Sequence, residues 1–359
     1  EGKLFDPPRC ANPRCSAHRR PEGRFYRRNG HYRPKCRAVR VPRFLCRLCG
    51  KGFSRQTFRA DYRDHRPELN QEVFSRWVSG TGFRQIGREI GLAKRNVELK
   101  LRKIARHLRH LHYNLLGDFG RQVSLAFDEM ETFEGCRSTR PLTVPFLIEQ
   151  ETTFLIDARC APIPPSGKMT PERRLEIEKE VKRNGKRRNG SPRICAEVLA
   201  TAAKHCGGAR RVFIRSDQKK TYPKLFREAF GAARLRHLTV SSKRRRDTTN
   251  PLHRINLTLA RARDLMGRLH RRSWLVTKVG SYLNLHLMAF ACDRNYHCAR
   301  FNDEDESPAQ MQGLLPRRLT KGEMLSWRQD WGVERSVHPL SAWLESIREY
   351  RAREGDMAA

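Results

Sequence analysis

The stretch Val123-Ser124-Leu125-Ala126-Phe127-Asp128 decides the architecture of the chain. Upstream of it apolar residues recur at helical spacing. Within it Val123, Leu125 and Phe127 alternate with period two, as in a half-buried strand that delivers Asp128 at its end. Leu142 to Ile148 and Thr153 to Ile156 read as two more strands, and Ile194 to His205 as a helix. A short apolar run, Val212-Phe213-Ile214, ends at Ser216-Asp217. Tyr222 to Phe230 then reads as a helix and Leu238 to Val240 as a strand. A long helix opens at Asn250-Pro251, a capping residue followed by proline at the first helical position, and carries Leu252, Ile255, Leu259, Ala262, Met266 and Leu269 as its apolar stripe.

Three strands followed by alternating helix and strand predict an α/β domain of RNase H-like order over residues 119–300. Residues 162–192, with a charged helix from Pro171 to Lys182 and the run Lys186-Arg187-Arg188, read as a basic insertion. Two acids fall where strands end. Asp128 and Asp217 on neighbouring strands suit a hard divalent ion, Mg²⁺ or Mn²⁺, of the kind that clamps the oxygens of an in-line phosphoryl displacement. Glu129 points away from Asp128 at strand spacing, and Asp157, inside a strand, reads as structural.

Working outward toward the start, residues 63–118 read as three helices. Leu69, Val73, Phe74 and Trp77 mark the first, and Gly80-Thr81-Gly82 breaks it. Phe83, Ile86 and Ile90 mark the second, ended by Gly91-Leu92. Val97, Leu101, Ile104 and Leu108 mark a third that begins near Lys94. A short helix, a glycine turn and a basic helix make the helix-turn-helix pattern of an all-α DNA-binding domain. Lys94, Arg95, Asn96, Lys100 and one of Arg102 or Lys103 lie off the stripe, where Arg and Asn suit bidentate contacts to base edges.

Residues 1–62 hold two cysteine pairs, Cys10 with Cys15 and Cys46 with Cys49, spaced as the ligands of a structural zinc ion. Cys36 and His18 stand behind them as substitute ligands. The chain has 11 cysteines, an odd number that argues against a disulfide framework.

The charge agrees with a polyanionic partner. Among 359 residues, 74 Lys and Arg stand against 38 Asp and Glu, a formal net charge of +36. Such a surface self-repels unless phosphates share it, and double-stranded DNA is the expected partner. No apolar run approaches the ~18 residues of a membrane span, and the expected setting is cytoplasmic and nucleoid-associated. Residues 301–359 reverse the balance, with 8 basic against 11 acidic residues. They read as an acidic linker at Asp303-Glu304-Asp305-Glu306, then a helical appendage with Trp327, Trp331 and Trp343. Further basic candidates for DNA phosphates are Lys243, Arg244, Arg245 and Arg246 before the long helix, and Arg254, Arg261, Arg263, Arg268, Arg271 and Arg272 on or just after it.

These pieces in this order resemble the IS1-like and IS1595-like insertion-sequence transposases. The matching stretches are Cys46-Arg-Leu-Cys49-Gly50-Lys51-Gly52-Phe53-Ser54, the central helices, Phe127-Asp128-Glu129-Met130, Arg215-Ser216-Asp217 and Arg254-Ile-Asn256-Leu257-Thr258-Leu259. The resemblance spans roughly residues 8–298. It implies a DDE-type enzyme that cuts transposon ends and joins the 3′ hydroxyl to target DNA, acting as a homodimer on two ends. It also implies an acid immediately before the Arg254 run, usually Glu. This chain has His253 there, with 35 residues separating it from Asp217. Three readings follow: His253 is itself the third ligand, preferring Mn²⁺; the chain is a decayed or domesticated copy that binds DNA without cutting it; or Asp247 or Asp264 serves instead.

Overall fold

A computed structural model describes residues 5–34, 40–241, 243–245, 247–270 and 274–327. Cys36, Arg246, Arg271, Arg272, Trp331 and Trp343, each given a role above, lie outside the described residues. The chain forms two compact units. One comprises Glu1–Val73, Leu99–Leu115 and Lys321–Ala359; the other comprises Phe74–Glu98 and Leu116–Thr320. This division cuts across the boundaries read at 62 and 118, because one helix of 22 residues, about 33 Å at 1.5 Å per residue, contributes to both units.

The first unit opens with the short helix α1 (Ser16–Arg19) and an antiparallel sheet of β1 (Tyr26–Tyr32), β2 (Val41–Cys46) and β3 (Gly52–Ser54) in that order. Too few aliphatic residues are present to make a core here. Phe25, Tyr26, Phe44, Phe53 and Phe58 make it instead, packed with Cys10, Cys15 and Cys46. Phe44 pairs with Phe53 across β2 and β3, and their rings stack at 5.8 Å.

Three helices follow: α2 (Asn70–Val78), α3 (Phe83–Ile90) and α4 (Lys94–Leu115). Of the stripe residues, Val73, Phe74, Trp77, Ile86, Val97, Leu101, Ile104 and Leu108 are buried, and Leu69, Phe83 and Ile90 are half-buried. The turn between α3 and α4 depends on two glycines. Gly91 takes the left-handed conformation at φ 66°, and a Cβ on Gly87 would lie 2.3 Å from the carbonyl oxygen of Leu92. Backbone, not a flexible side chain, occupies that space. Gly87→Ala is therefore expected to cost about 1–3 kcal/mol, read as a fall in thermal midpoint, while Gly50→Ala, whose Cβ meets nothing, carries only its φ penalty.

The second unit is built on a mixed sheet: β4 (Gln122–Phe133), β5 (Pro141–Glu149), β6 (Leu155–Ala158), β7 (Ala161–Pro162), β8 (Arg211–Ser216) and β9 (Leu235–Thr239). The order is β6-β5-β4-β8-β9, with β7 beside β5. β5 runs antiparallel to both β4 and β6, whereas β8 and β9 run parallel to β4 and to each other. The helices are α5 (Pro171–Asn184), α6 (Ser191–His205), α7 (Tyr222–Phe230), α8 (His253–Leu265), α9 (Gly280–Cys292), α10 (Pro308–Met311) and α11 (Lys321–Ser326), the last belonging to the first unit. One face of the sheet packs Ala126, Met130, Val144, Phe146 and Ile148 against Leu252, Ile255 and Leu259 of the α8 region and Leu283 and Leu287 of α9. On the opposite face Phe127 meets Tyr222 and Phe226 of α7 edge-on. The insertion helix α5 buries no residue, so it is a solvated charged element tied down at its start, where Arg173 donates to the carbonyls of Ser138, Lys168 and Ser166.

Three expectations are corrected. The strand does not end at Asp128 but runs on to Phe133, because its second half keeps antiparallel pairing to β5 after β8 has stopped. The long helix starts at His253, not at Asn250-Pro251: Asn250 caps a preceding turn, its Oδ1 accepting from Leu252 N and its Nδ2 donating to Arg245 O. Residues 301–320 are not a linker but part of the second unit. Leu315 and Leu319 are buried, Leu319 N donates to Tyr296 O, and Glu304 is ion-paired with Arg300.

Candidate functional site

The first site is the cysteine cluster. Cys10 and Cys15 flank a tight turn in which Cys15 N donates to Asn12 O at 3.0 Å. Cys46 ends β2, and Cys49 sits on the knuckle after it, closed by Gly50 N to Cys46 O at 3.0 Å with Gly50 at φ 67°. The ligand sulfurs of Cys10, Cys15, Cys46 and Cys49 all lie within 4.8 Å of one another. Cys10 and Cys49 stand 3.6 Å apart, and Cys15 and Cys46 3.8 Å. A tetrahedron with zinc–sulfur bonds of ~2.3 Å has edges of ~3.8 Å, so the four thiols can hold a structural metal such as zinc. Without bound metal the Cys49 thiol is pushed down to about 7, first by the N–H of Lys51, whereas burial pushes the Cys10 and Cys15 thiols up. His18 does not join this group, and its Nδ1 is 2.7 Å from the Cys10 carbonyl oxygen.

The second site is an edge of the mixed sheet. The parallel register pairs Ala126 with Arg215. Carried two residues further, it sets Asp128 level with Asp217, just beyond the last residue of β8. Strand alternation puts Asp128 on the face of Ala126 and Met130, the one covered by α8. Asp128 Oδ1 accepts from Glu129 N and Asp217 Oδ1 from Lys219 N, so the backbone orients both carboxylates. β9 ends at the same edge, and the segment after it leaves there with Lys243, Arg244 and Arg245 exposed to solvent.

His253 opens α8 and is half-buried. Among the described residues, however, the only group of three or more ligand atoms within 4.8 Å is the cysteine cluster, so Asp128, Asp217 and His253 do not close into a three-ligand site. The alternatives to His253 fare no better. Asp247 is held in its own turn by Thr249 N and Oγ1, and Asp264 lies about 16 Å along the helix axis.

Beneath this edge lies a constellation that the sequence did not expose. The Glu129 carboxylate faces α6 and α7. It accepts hydrogen bonds from Thr143 Oγ1 and Ser191 Oγ, both at 2.7 Å, and from Tyr222 OH at 3.0 Å, and it is ion-paired with Lys219. Burial alone would raise its pKa. The bonds from Lys219, Thr143 and Ser191 win, and the carboxyl is held below its ordinary 4.5. Burial, then the negative charges of Glu129, Asp217 and Asp128, push the Tyr222 phenol far up, and its hydroxyl donates to Glu129. Lys219 thus ties the segment after Asp217 to the strand that carries Asp128. Glu129→Gln is expected to cost about 1–3 kcal/mol. Because the folded-state pKa is depressed, this contribution is complete above pH 4.5 and is lost as pH falls. The gap in thermal midpoint between wild type and variant should therefore shrink on acidification.

The proposed DNA contacts separate into two groups. Lys94, Arg95 and Asn96 are exposed at the start of α4. Lys100 is not: it is buried, its Nζ donating to Arg66 O and Asn70 Oδ1 and ion-pairing with Asp64 at 2.5 Å. It holds the first unit together and is withdrawn as a groove contact. Lys103 likewise donates to Tyr62 O. Arg254 is engaged by the carbonyls of Gln150 and Glu151, and Arg261 by the carbonyl of Arg300 and the ring of Phe301, so these two are structural rather than free cations. Asp157 is buried with Arg159 and Thr201, as read.

No protein-family model matches the chain, and no curated protein matches it. No helix among the described residues is long and apolar enough to cross a membrane.

Proposed function

We propose that this chain is a transposase-type protein that binds double-stranded DNA and carries out divalent-metal-dependent cleavage and transfer of DNA strands. The observation that carries the reading is the register of β4 on β8, with Asp128 level with Asp217 at an edge from which Lys243, Arg244 and Arg245 also leave. Mg²⁺ is commonly bound by one or two carboxylates, with water and substrate phosphate completing its shell. Two aspartates therefore fit such an ion without a third protein ligand. When bound, the ion would polarise the scissile phosphate. The protein's own part is to hold the carboxylates in place through Lys219 and the backbone, and to hold the strand near them through the basic segment.

Three further features support the reading. The strand order β6-β5-β4-β8-β9, antiparallel and then parallel, is the order expected of an RNase H-like sheet. The α3–turn–α4 arrangement, with Lys94, Arg95 and Asn96 exposed at the start of the second helix, fits a helix-turn-helix whose recognition helix meets base edges with its first residues. The cysteine cluster, filled by zinc, would stiffen the basic N-terminal unit. Binding two DNA ends makes a homodimer the working form, and a nucleoid-associated setting follows from the ligand.

A second reading, a decayed copy that binds DNA without cutting it, is favoured by one observation: His253 does not gather with the two aspartates. Joining of a pre-nicked duplex end to a plasmid, with Mg²⁺ or Mn²⁺, separates the two. The enzyme reading expects joined product with at least one metal; no product with either leaves DNA binding alone. Both readings expect the affinity for duplex to fall about a thousandfold or more between ~50 and ~200 mM salt, measured by anisotropy of a labelled duplex.

A further inference from the structure

One groove of the second unit takes no part in the chemistry above. It has a volume of about 760 Å³ and is lined by α3, the starts of α4 and α9, and the segment between α8 and α9. Its floor is aromatic: Trp77 stacks flat on His286 with centroids 4.3 Å apart, and the Arg268 guanidinium lies over Phe83 at 5.0 Å and Tyr282 at 5.7 Å. At its rim stands Trp274, 94 % exposed, followed by the half-exposed Leu275 and Val279.

An uncovered indole beside further apolar side chains marks a contact surface. This one is built rather than loose. Leu275 wedges against two glycines, since a Cβ on Gly82 would meet its Cδ2 at 2.7 Å and one on Gly267 its Cδ1 at 2.8 Å. Thr277 is fully buried, and both its N and its Oγ1 donate to Arg268 O. Leu275 and Thr277 thus pin the segment that follows Trp274.

The charge selects the occupant. Arg84 and Arg88, one turn apart on α3, together with Lys94 and Lys278, line the groove and are exposed. Its single carboxylate, Glu98, is taken by the Tyr282 hydroxyl and by Arg95. An apolar peptide would leave four cations facing it. An intact duplex keeps its bases stacked inside and offers no flat apolar face to the indole. An unpaired nucleotide offers both a π-face and a phosphate. Arg84, Arg88 and Lys94 also line the neighbouring shallow surface around the α3–α4 turn, so a strand leaving a duplex held at that turn would enter the groove directly.

We propose that this groove binds an unpaired nucleotide of DNA, its base stacked on Trp274 and its phosphates held by Arg84, Arg88 and Lys278, next to the duplex bound at the α3–α4 turn. The inference rests on the DNA-binding reading above and adds to it a site for distorted or single-stranded DNA.

The test measures anisotropy of two labelled duplexes at one salt concentration, one blunt and one ending in a short unpaired thymidine flap. Wild type is expected to bind the flapped duplex about tenfold more tightly. Trp274→Ala should abolish that preference while leaving blunt-duplex affinity unchanged, Trp274→Phe should keep most of it, and Lys278→Ala should weaken the flapped complex selectively. Trp274 is almost wholly exposed, so its loss leaves the fold in place, which circular dichroism checks. Equal binding of both duplexes by wild type, or a preference that survives in Trp274→Ala, overturns the proposal while the duplex-binding reading stands. A shift of Trp274→Ala from dimer to monomer in sedimentation, with the preference intact, also overturns it and makes the face a protein contact. Failure to bind either duplex overturns both readings.

Discussion

Stripping the cysteine cluster of its metal, by a strong chelator or by Cys46→Ser, is expected to unfold the N-terminal sheet. The reason is the composition of its core. β1 leaves most of its side chains exposed, and what is buried is a handful of aromatic rings packed directly on Cys10, Cys15 and Cys46. Structural zinc sites contribute about 10–16 kcal/mol of apparent binding free energy, more than so small a core can supply. Metal bound by the four cysteines would also close the loop from Cys15 to Cys46, 30 intervening residues. Near-ultraviolet circular dichroism of the aromatic cluster should collapse on chelation and return when zinc is restored. Duplex affinity should fall with it, since 17 Lys and Arg lie in residues 1–60. An unchanged spectrum after complete metal removal would show that the rings hold themselves.

The second large effect concerns the sheet edge. Asp217→Ala should reduce strand joining about a thousandfold or more, the loss of several kcal/mol of transition-state stabilisation, while leaving duplex binding within about threefold and the thermal midpoint nearly unchanged. Asp217 is half-exposed just past β8, so the fold does not depend on it. Asp128→Ala should match it, and the double variant should be no worse than either single one, because residues that act as one unit are not additive. His253→Glu separates the roles left open for that position. A gain in joining marks a decayed ligand position, and a loss marks histidine as the native residue.

Local patterns were legible where they depend on spacing along one element. Most of the stripe residues of α2, α3 and α4 are buried, with Leu69, Phe83 and Ile90 half-buried, and the two cysteine pairs meet. What escaped depends on partners far away in sequence. Lys100 lies off the stripe of its helix and so reads as a free cation, yet Asp64 and Asn70, 36 and 30 residues earlier, enclose it. Arg254 finds carbonyls more than 100 residues away. Glu129 follows Asp128 and points to the other face, which is correct, but its partners Thr143, Ser191, Lys219 and Tyr222 come from three separate segments. Trp274 escaped for the opposite reason: a tryptophan in a sequence defaults to the core, and only the fold leaves this one in water. The end of β4 was misjudged because an acid looks like a strand stop when its antiparallel partner cannot be seen.

Asp128 and Asp217 are proposed to share one divalent ion. Titration of Mn²⁺ into the zinc-loaded protein, followed by electron paramagnetic resonance of the free ion, tests it without DNA chemistry. Wild type is expected to show a Mn²⁺ site that disappears in Asp128→Asn and in Asp217→Asn alike, with zinc content unchanged in both. Mn²⁺ binding that survives either substitution, or a wild type that binds none even with duplex DNA present, would contradict it.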